Sequence, residues 1–217
     1  MVTVIEQPTL FSLLCETDTF SFERELARQG FLRVAGTDEV GRGPLAGPVV
    51  AASVILPPAC DFRKYDDSKK LSAVVREELY EELHRSEAII AVAVVSEREI
   101  EEINILQASL LAMRNAIAAL PVAPDFILVD GKFKVPITIA QQTLIKGDSR
   151  SASIAAASIV AKVTRDRLMT ELHQEFPAYN FVQNKGYPTR EHRRAIETHG
   201  PCPIHRRTFA RVREFLA

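Results

Sequence analysis

Four carboxylates mark the ends of predicted strands. Asp38 and Glu39 follow the apolar residues 31–35, Asp130 follows the buried-type run 126–129, and Asp148 follows residues 143–146. In open α/β folds ligands gather at strand ends, so these acids are candidates for one site. Two like charges 4 Å apart repel by about 4 kcal/mol at an effective dielectric near 20. Converging carboxylates must therefore take up protons or hold cations. Oxygen-only donors with partial hydration suit Mg²⁺ or Mn²⁺. Two such ions can activate a water and stabilise the leaving oxygen of an in-line phosphoryl displacement. Strand geometry complicates the grouping. Neighbouring side chains face opposite ways, so Asp38 and Glu39 share a ligand only if the strand twists or ends there. A polar hairpin with an acidic tip is the plainer alternative for this stretch.

Directly after the acid pair, Gly41, Arg42 and Gly43 form a turn that lets backbone approach a ligand around a central cation. The apolar run VVAASVIL follows, so residues 31–56 are expected to form an antiparallel hairpin. Further on, strand-like and helix-like segments alternate, which predicts an α/β layer fold with a mixed central sheet flanked by helices. Ser21 is expected to cap a helix over 21–30 and Gly30 to end it. Ser72 is expected to cap a helix to about 86, with Val75, Leu79 and Leu83 inward. Residues 88–95 fit a strand covered on both faces. Ser96 and Glu99 make a capping box, and Ile105, Leu106, Leu110, Met113 and Ile117 recur at helical spacing over 104–120. Residues 149–169 form an Ala- and Ser-rich helix able to pack closely on a sheet, capped by Ser151.

The chain has 217 residues, 47% hydrophobic and 25% charged, with a net charge of −1. A packed core is expected, and a uniformly basic nucleic-acid binder is excluded. Basic charge is instead local: residues 180–217 carry eight lysines and arginines against three glutamates. The expected organisation is a tail over 1–20, a catalytic domain over 21–178 and a basic helical extension over 179–217 that closes over it. No apolar run spans a membrane, no secretory signal is evident, and three widely spaced cysteines suggest a reducing cytoplasm. In the tail, Gln7-Pro8-Thr9-Leu10-Phe11 resembles peptides that dock bacterial proteins on the replication sliding clamp. The alternative is an arm whose Leu10, Phe11, Leu13 and Leu14 pack on the parent domain.

The chain resembles bacterial ribonuclease HII over about 30–217. The stretches that carry this are GTDEVGRGPLAGPVVAA, DSKKLS, INILQASLLAM, LVDG, KGDSRSASIAAASIVAKVTRD and KGYPTREH, in the family's order. The resemblance implies a ribonuclease H-like fold with a C-terminal helical region. It implies metal-dependent cleavage of RNA in RNA–DNA hybrids, and 5′ of a single ribonucleotide in duplex DNA, leaving 3′-hydroxyl and 5′-phosphate ends. Asp38, Glu39, Asp130 and Asp148 match the family's catalytic and metal-binding carboxylates, expected to hold two ions with substrate bound. Gly41, Arg42 and Gly43 match the loop that senses the 2′-hydroxyl, the group that separates RNA from DNA. Tyr187 matches the tyrosine on the sugar at the RNA–DNA junction. Lys132 stands where the family pattern suggests Asn.

Lys69, Arg190, Arg193, Arg194 and Arg207 are expected phosphate contacts, which position a duplex without reading its sequence. Solvated charge is the plain alternative for Lys69. Asp166 is expected to pair with Arg165 or Arg167. His199, Cys202 and His205 match zinc spacing poorly; His192 and His205 are expected to cap helices or touch phosphate. The protein is expected to be a monomer. Two rival functions remain at this level: a non-catalytic nucleic-acid-binding module, and a related nuclease acting on another substrate, such as branched DNA.

Overall fold

A computed structural model describes residues 18–65, 68 and 71–216. Lys69 and the peptide at residues 7–11 lie outside the described residues. Five strands form one mixed sheet: β1 (Val34–Val40), β2 (Val49–Ile55), β3 (Ile89–Val95), β4 (Phe126–Asp130) and β5 (Ala140–Leu144). Their order is β3-β2-β1-β4-β5, antiparallel across β3, β2 and β1 and parallel across β1, β4 and β5. The 31–56 hairpin is therefore present. The parallel half brings the C-terminal ends of β1, β4 and β5 to one edge, where the acids lie.

Six α-helices accompany the sheet among the described residues: α1 (Ser21–Arg28), α2 (Ala73–Arg85), α3 (Glu97–Ala118), α4 (Ala152–Glu175), α5 (Phe181–Asn184) and α6 (Arg190–His199). Alternation along β2 sorts the core. Val50, Ala52 and Val54 pack with α4 and α2, while Val49 and Ala51 pack with α3, Ile127 and Val129. The small residues of α4 let it press on the sheet, and Gly36 marks the closest approach. A Cβ added there would lie 2.1 Å from the Ser153 carbonyl carbon, so only glycine fits.

Local sequence rules explain most element boundaries. Ser72, Ser96 and Ser151 each accept a hydrogen bond from a backbone N–H three residues on, and Ser96 with Glu99 forms a complete capping box. Several expectations need correction. Ser21 does not cap α1; Phe20 holds that position without a side-chain bond, and Ser21 is the first helical residue. Val75 is exposed, leaving Leu79 and Leu83 as the buried face of α2. β3 is an edge strand, with Val94 turned to solvent. The strand expected at 143–146 ends earlier, because Lys146 is left-handed and Ile145 is exposed. The helix expected from 104 starts at Glu97 and kinks at Asn104 (φ +66°), whose Oδ1 accepts from the N–H groups of Leu106 and Gln107 and so restarts the helix. No described helix is long and apolar enough to cross a membrane.

Candidate active site

β1 delivers Asp38 and Glu39 where it runs beside the end of β4, and Asp130 closes β4. Asp148 sits in the turn between β5 and α4. This turn is tied down twice. The Gly147 N–H donates to Asp130 Oδ1 at 2.7 Å, and the Ser151 N–H donates to the Gly147 carbonyl at 2.8 Å. Behind it, buried Glu23 of α1 accepts from Ser151 Oγ and from the Ser153 N–H. Burial pushes the Glu23 carboxyl above the ordinary range, against the hydrogen bonds that oppose it. Its place in the first turn of α1 thus serves the start of α4 as much as α1 itself.

The other three acids all act on Asp38. Asp38 is 5% exposed. Burial first, then the charges of Glu39 and Asp130 and, more weakly, Asp148, raise its carboxyl well above the usual range, while a hydrogen bond with Ser158 of α4 opposes them. Glu39 is pushed up to about 6, by burial and by Asp130, against the nearby Arg42. Strand alternation persists at this edge. Asp38 meets Ser158 of α4, whereas Glu39 lines a cleft with Leu106, Leu110, Asp130 and Phe133 on the α3 side. Arg42 Nη1 lies 3.1 Å from Glu39 Oε1.

Oxygen-only donors of this kind suit a hard divalent cation, which would relieve the crowding that raises the Asp38 and Glu39 carboxyls. Among the described residues no three acidic, histidine or cysteine side chains stand close enough to hold an ion as they are. Glu39 is engaged by Arg42 and Asp130 by Gly147.

Beside the acids, residues 41–48 are held by two buried guanidiniums. Arg206 donates to the carbonyls of Gly41, Arg42, Pro44 and Gly47, and Arg165 to those of Ala46, Pro48 and Lys185. Neither side chain is exposed, and burial lowers Arg165 to about 10 and Arg206 to about 9. Their forked donors satisfy carbonyls of a loop that makes few sheet bonds. Gly41 (φ +99°) has no room for a Cβ, which would meet Arg165 Nε at 2.4 Å. Tyr187 is 39% exposed, and its Cε1 lies 3.6 Å from where a Gly43 Cβ would stand. The glycine loop and the tyrosine ring therefore lie side by side.

Arg190, Arg193 and Arg194 lie exposed on α6. Arg207 is exposed but lines a different cleft, with Arg98, Glu101 and Pro201. Asp166 pairs with Lys162 at 2.7 Å, one turn back on α4, rather than with Arg165 or Arg167. Arg165 points inward and Arg167 binds Glu77 and Glu81 of α2. His192 and His205 neither cap helices nor face solvent; both are buried and hydrogen-bonded to each other. Residues 202–206 and Arg165 are the supports that the sequence did not disclose. Within a basic stretch, a buried arginine looks like any surface cation.

The sequence matches the ribonuclease HII family over residues 35–212. It is 57% identical over 202 residues to ribonuclease HII of Desulfotalea psychrophila, covering 92% of this chain and 90% of that protein. The fold is similar to the crystal structure of ribonuclease H2 from Pyrococcus horikoshii, with a TM-score of 0.70, 28% identity and coverage of 85% and 97%. It is also similar to RNase HII in its complex with PCNA from Archaeoglobus fulgidus, with a TM-score of 0.71, 28% identity and coverage of 82% and 95%. The matched span runs from β1 through the basic C-terminal segment, taking in every strand, the glycine loop and Tyr187, and the chain belongs to the ribonuclease HII family of nucleases.

Proposed function

We propose that this ribonuclease cuts the RNA strand of RNA–DNA hybrids and cuts 5′ of single ribonucleotides in duplex DNA. Cleavage is a two-metal phosphodiester hydrolysis that leaves a 3′-hydroxyl and a 5′-phosphate and starts removal of the ribonucleotide. The observation that carries this is the gathering of Asp130 and Asp148 around buried Asp38, with Glu39 beside Asp130, next to a glycine loop that meets Tyr187. These four carboxylates would hold Mg²⁺ or Mn²⁺, two ions with substrate bound. When bound, such cations lower the barrier to in-line phosphoryl displacement. Glu39 would exchange Arg42 for a cation, freeing the guanidinium for phosphate.

The residues around the acids select the substrate. The backbone of Gly41, Arg42 and Gly43 meets the 2′-hydroxyl, and the Tyr187 ring covers the following sugar. Lys69, Arg190, Arg193, Arg194 and Arg207 grip phosphates and set the duplex in register. Residues 7–11 dock on a sliding clamp, a role in keeping with the PCNA complex of the archaeal relative. The enzyme works as a cytoplasmic monomer.

One assay tests the whole. A duplex carrying a single ribonucleotide is incubated with Mg²⁺ or with EDTA and the cut is mapped. A single cut on the 5′ side of the ribonucleotide, absent in EDTA, is expected. Binding without cutting would make the protein a nucleic-acid-binding module, and an intact duplex beside a cut branched one would make it a resolvase.

A further inference from the structure

We propose that His192, His205 and Arg206 form one positioning relay that sets Tyr187 against the glycine loop, and so determine how well the enzyme recognises a single-ribonucleotide junction. The inference rests on the substrate roles proposed above for Tyr187 and residues 41–43.

Cys202 sets the protons of the relay, through its N–H and with its Sγ 3.0 Å from His205 Nδ1. The Cys202 N–H donates to His205 Nδ1 at 2.9 Å, so that nitrogen carries no proton. The neutral ring must then carry its proton on Nε2, which lies 3.0 Å from His192 Nε2 and donates to it. His192 in turn is protonated at Nδ1 and donates to the Tyr187 carbonyl at 2.9 Å. Both rings are fully buried beside Tyr179 and Phe181. Burial disfavours a cation on either, lowering His205 to about 4 and His192 below its ordinary value. A proton on His205 Nδ1 would stand against the Cys202 N–H that this nitrogen now accepts, and the chain would break.

The next residue grips the other wall. Arg206 binds four carbonyls of residues 41–47, and its own N–H donates to the Leu45 carbonyl at 2.8 Å. The Leu45 N–H donates in turn to the carbonyl of Gly186, the residue before Tyr187. Consecutive residues 205 and 206 thus hold the tyrosine segment and the glycine loop from one point of backbone. A packed histidine pair needed only to fill the core would not require a donor aimed at the Tyr187 carbonyl.

The test compares cleavage of a single-ribonucleotide duplex with cleavage of a uniform RNA–DNA hybrid, as a ratio. His192→Leu removes the donor to Tyr187 and should lower the junction-to-hybrid ratio about tenfold, since small misplacements of a positioning group have large rate effects. His192→Asn keeps an N–H near the Nδ1 position and should restore most of the ratio. In a Tyr187→Ala background, His192→Leu should change the ratio no further. Equal losses on both substrates, no rescue by Asn, or a full loss persisting without the tyrosine side chain would overturn the relay. If Tyr187→Ala alone leaves the ratio unchanged, the substrate role of the tyrosine has failed, and the relay with it. Should His192→Leu not fold, nitrogen-15 spectra of the wild-type imidazoles decide. They should show His205 protonated at Nε2 and His192 at Nδ1; the opposite tautomers would overturn the relay.

Discussion

The Gly147 N–H donates to Asp130 Oδ1 at 2.7 Å, so the end of β4 and the turn bearing Asp148 form one unit. A Cβ on Gly147 would lie 2.6 Å from Ile154 Cδ1 and 3.1 Å from Asp130 Oδ1. Gly147→Ala must displace one or both. The expected outcome is a loss of about 1–3 kcal/mol in urea unfolding, with a larger proportional loss in cleavage because the carboxylate itself moves. A variant with wild-type cleavage would show that the spacing of Asp130 and Asp148 tolerates slack.

Arg206→Lys keeps the charge and discards the planar fork. The wild-type side chain serves four loop carbonyls, three of them in buried hydrogen bonds, and an ammonium on a flexible stem cannot reach them all. Each carbonyl left unsatisfied costs about 1–3 kcal/mol, so a loss of several kcal/mol is expected from denaturant titration. An unchanged midpoint would show that the loop holds its shape without the guanidinium.

Acid should destabilise the protein through the buried histidines. The folded value of His205, about 4, lies below the ordinary value of 6.5, and that of His192 is lowered too. Between these values the unfolded chain binds more protons, so stability falls as pH drops. The contribution is complete above about 6.5 and is lost progressively toward pH 4. Thermal denaturation across this window should show a steeper slope for the wild type than for His205→Gln. Parallel slopes would mean the imidazole titrates normally when folded.

Asp38 has the opposite sign. Its raised value means the folded protein binds the extra proton, so its contribution to stability falls as pH rises from 3.8 through the folded value. In EDTA at neutral pH, Asp38→Asn should therefore melt higher than the wild type. Mg²⁺ should raise the melting temperature of the wild type and not that of the variant. A variant that melts lower in EDTA would show that the carboxylate is not under electrostatic stress.

Much of this was legible in the residues. The acid after residues 126–129 marked where β4 stops, whereas β1 runs through Asp38 and Glu39 to Val40 and β5 ends at Leu144. Serines three residues before a free N–H marked where α2, α3 and α4 start. The hairpin followed from two apolar runs around a glycine-rich turn, and the mixed sheet from the hairpin. Long-range placement was less legible. Nothing local distinguishes Arg165 and Arg206, which are buried, from Arg207, which is exposed. His192 and His205 looked like surface groups because their mutual hydrogen bond joins segments 13 residues apart. β3 looked doubly covered because an apolar run does not say whether its strand lies at an edge. The opposite facing of Asp38 and Glu39 was legible from strand alternation, but the ion pair was hidden: Glu39 rests on Arg42, a contact set by the turn that follows β1.

Measuring cleavage and duplex binding side by side for Asp130→Asn and Asp148→Asn, on a duplex with one ribonucleotide and with Mg²⁺ present, tests the proposed chemistry most directly. Cutting should fall roughly 100-fold or more, the scale seen when a preorganised electrostatic contact to the reacting group is removed, while duplex affinity stays within a few-fold. Cutting at the wild-type rate by either variant would contradict the assignment of these carboxylates to the reaction.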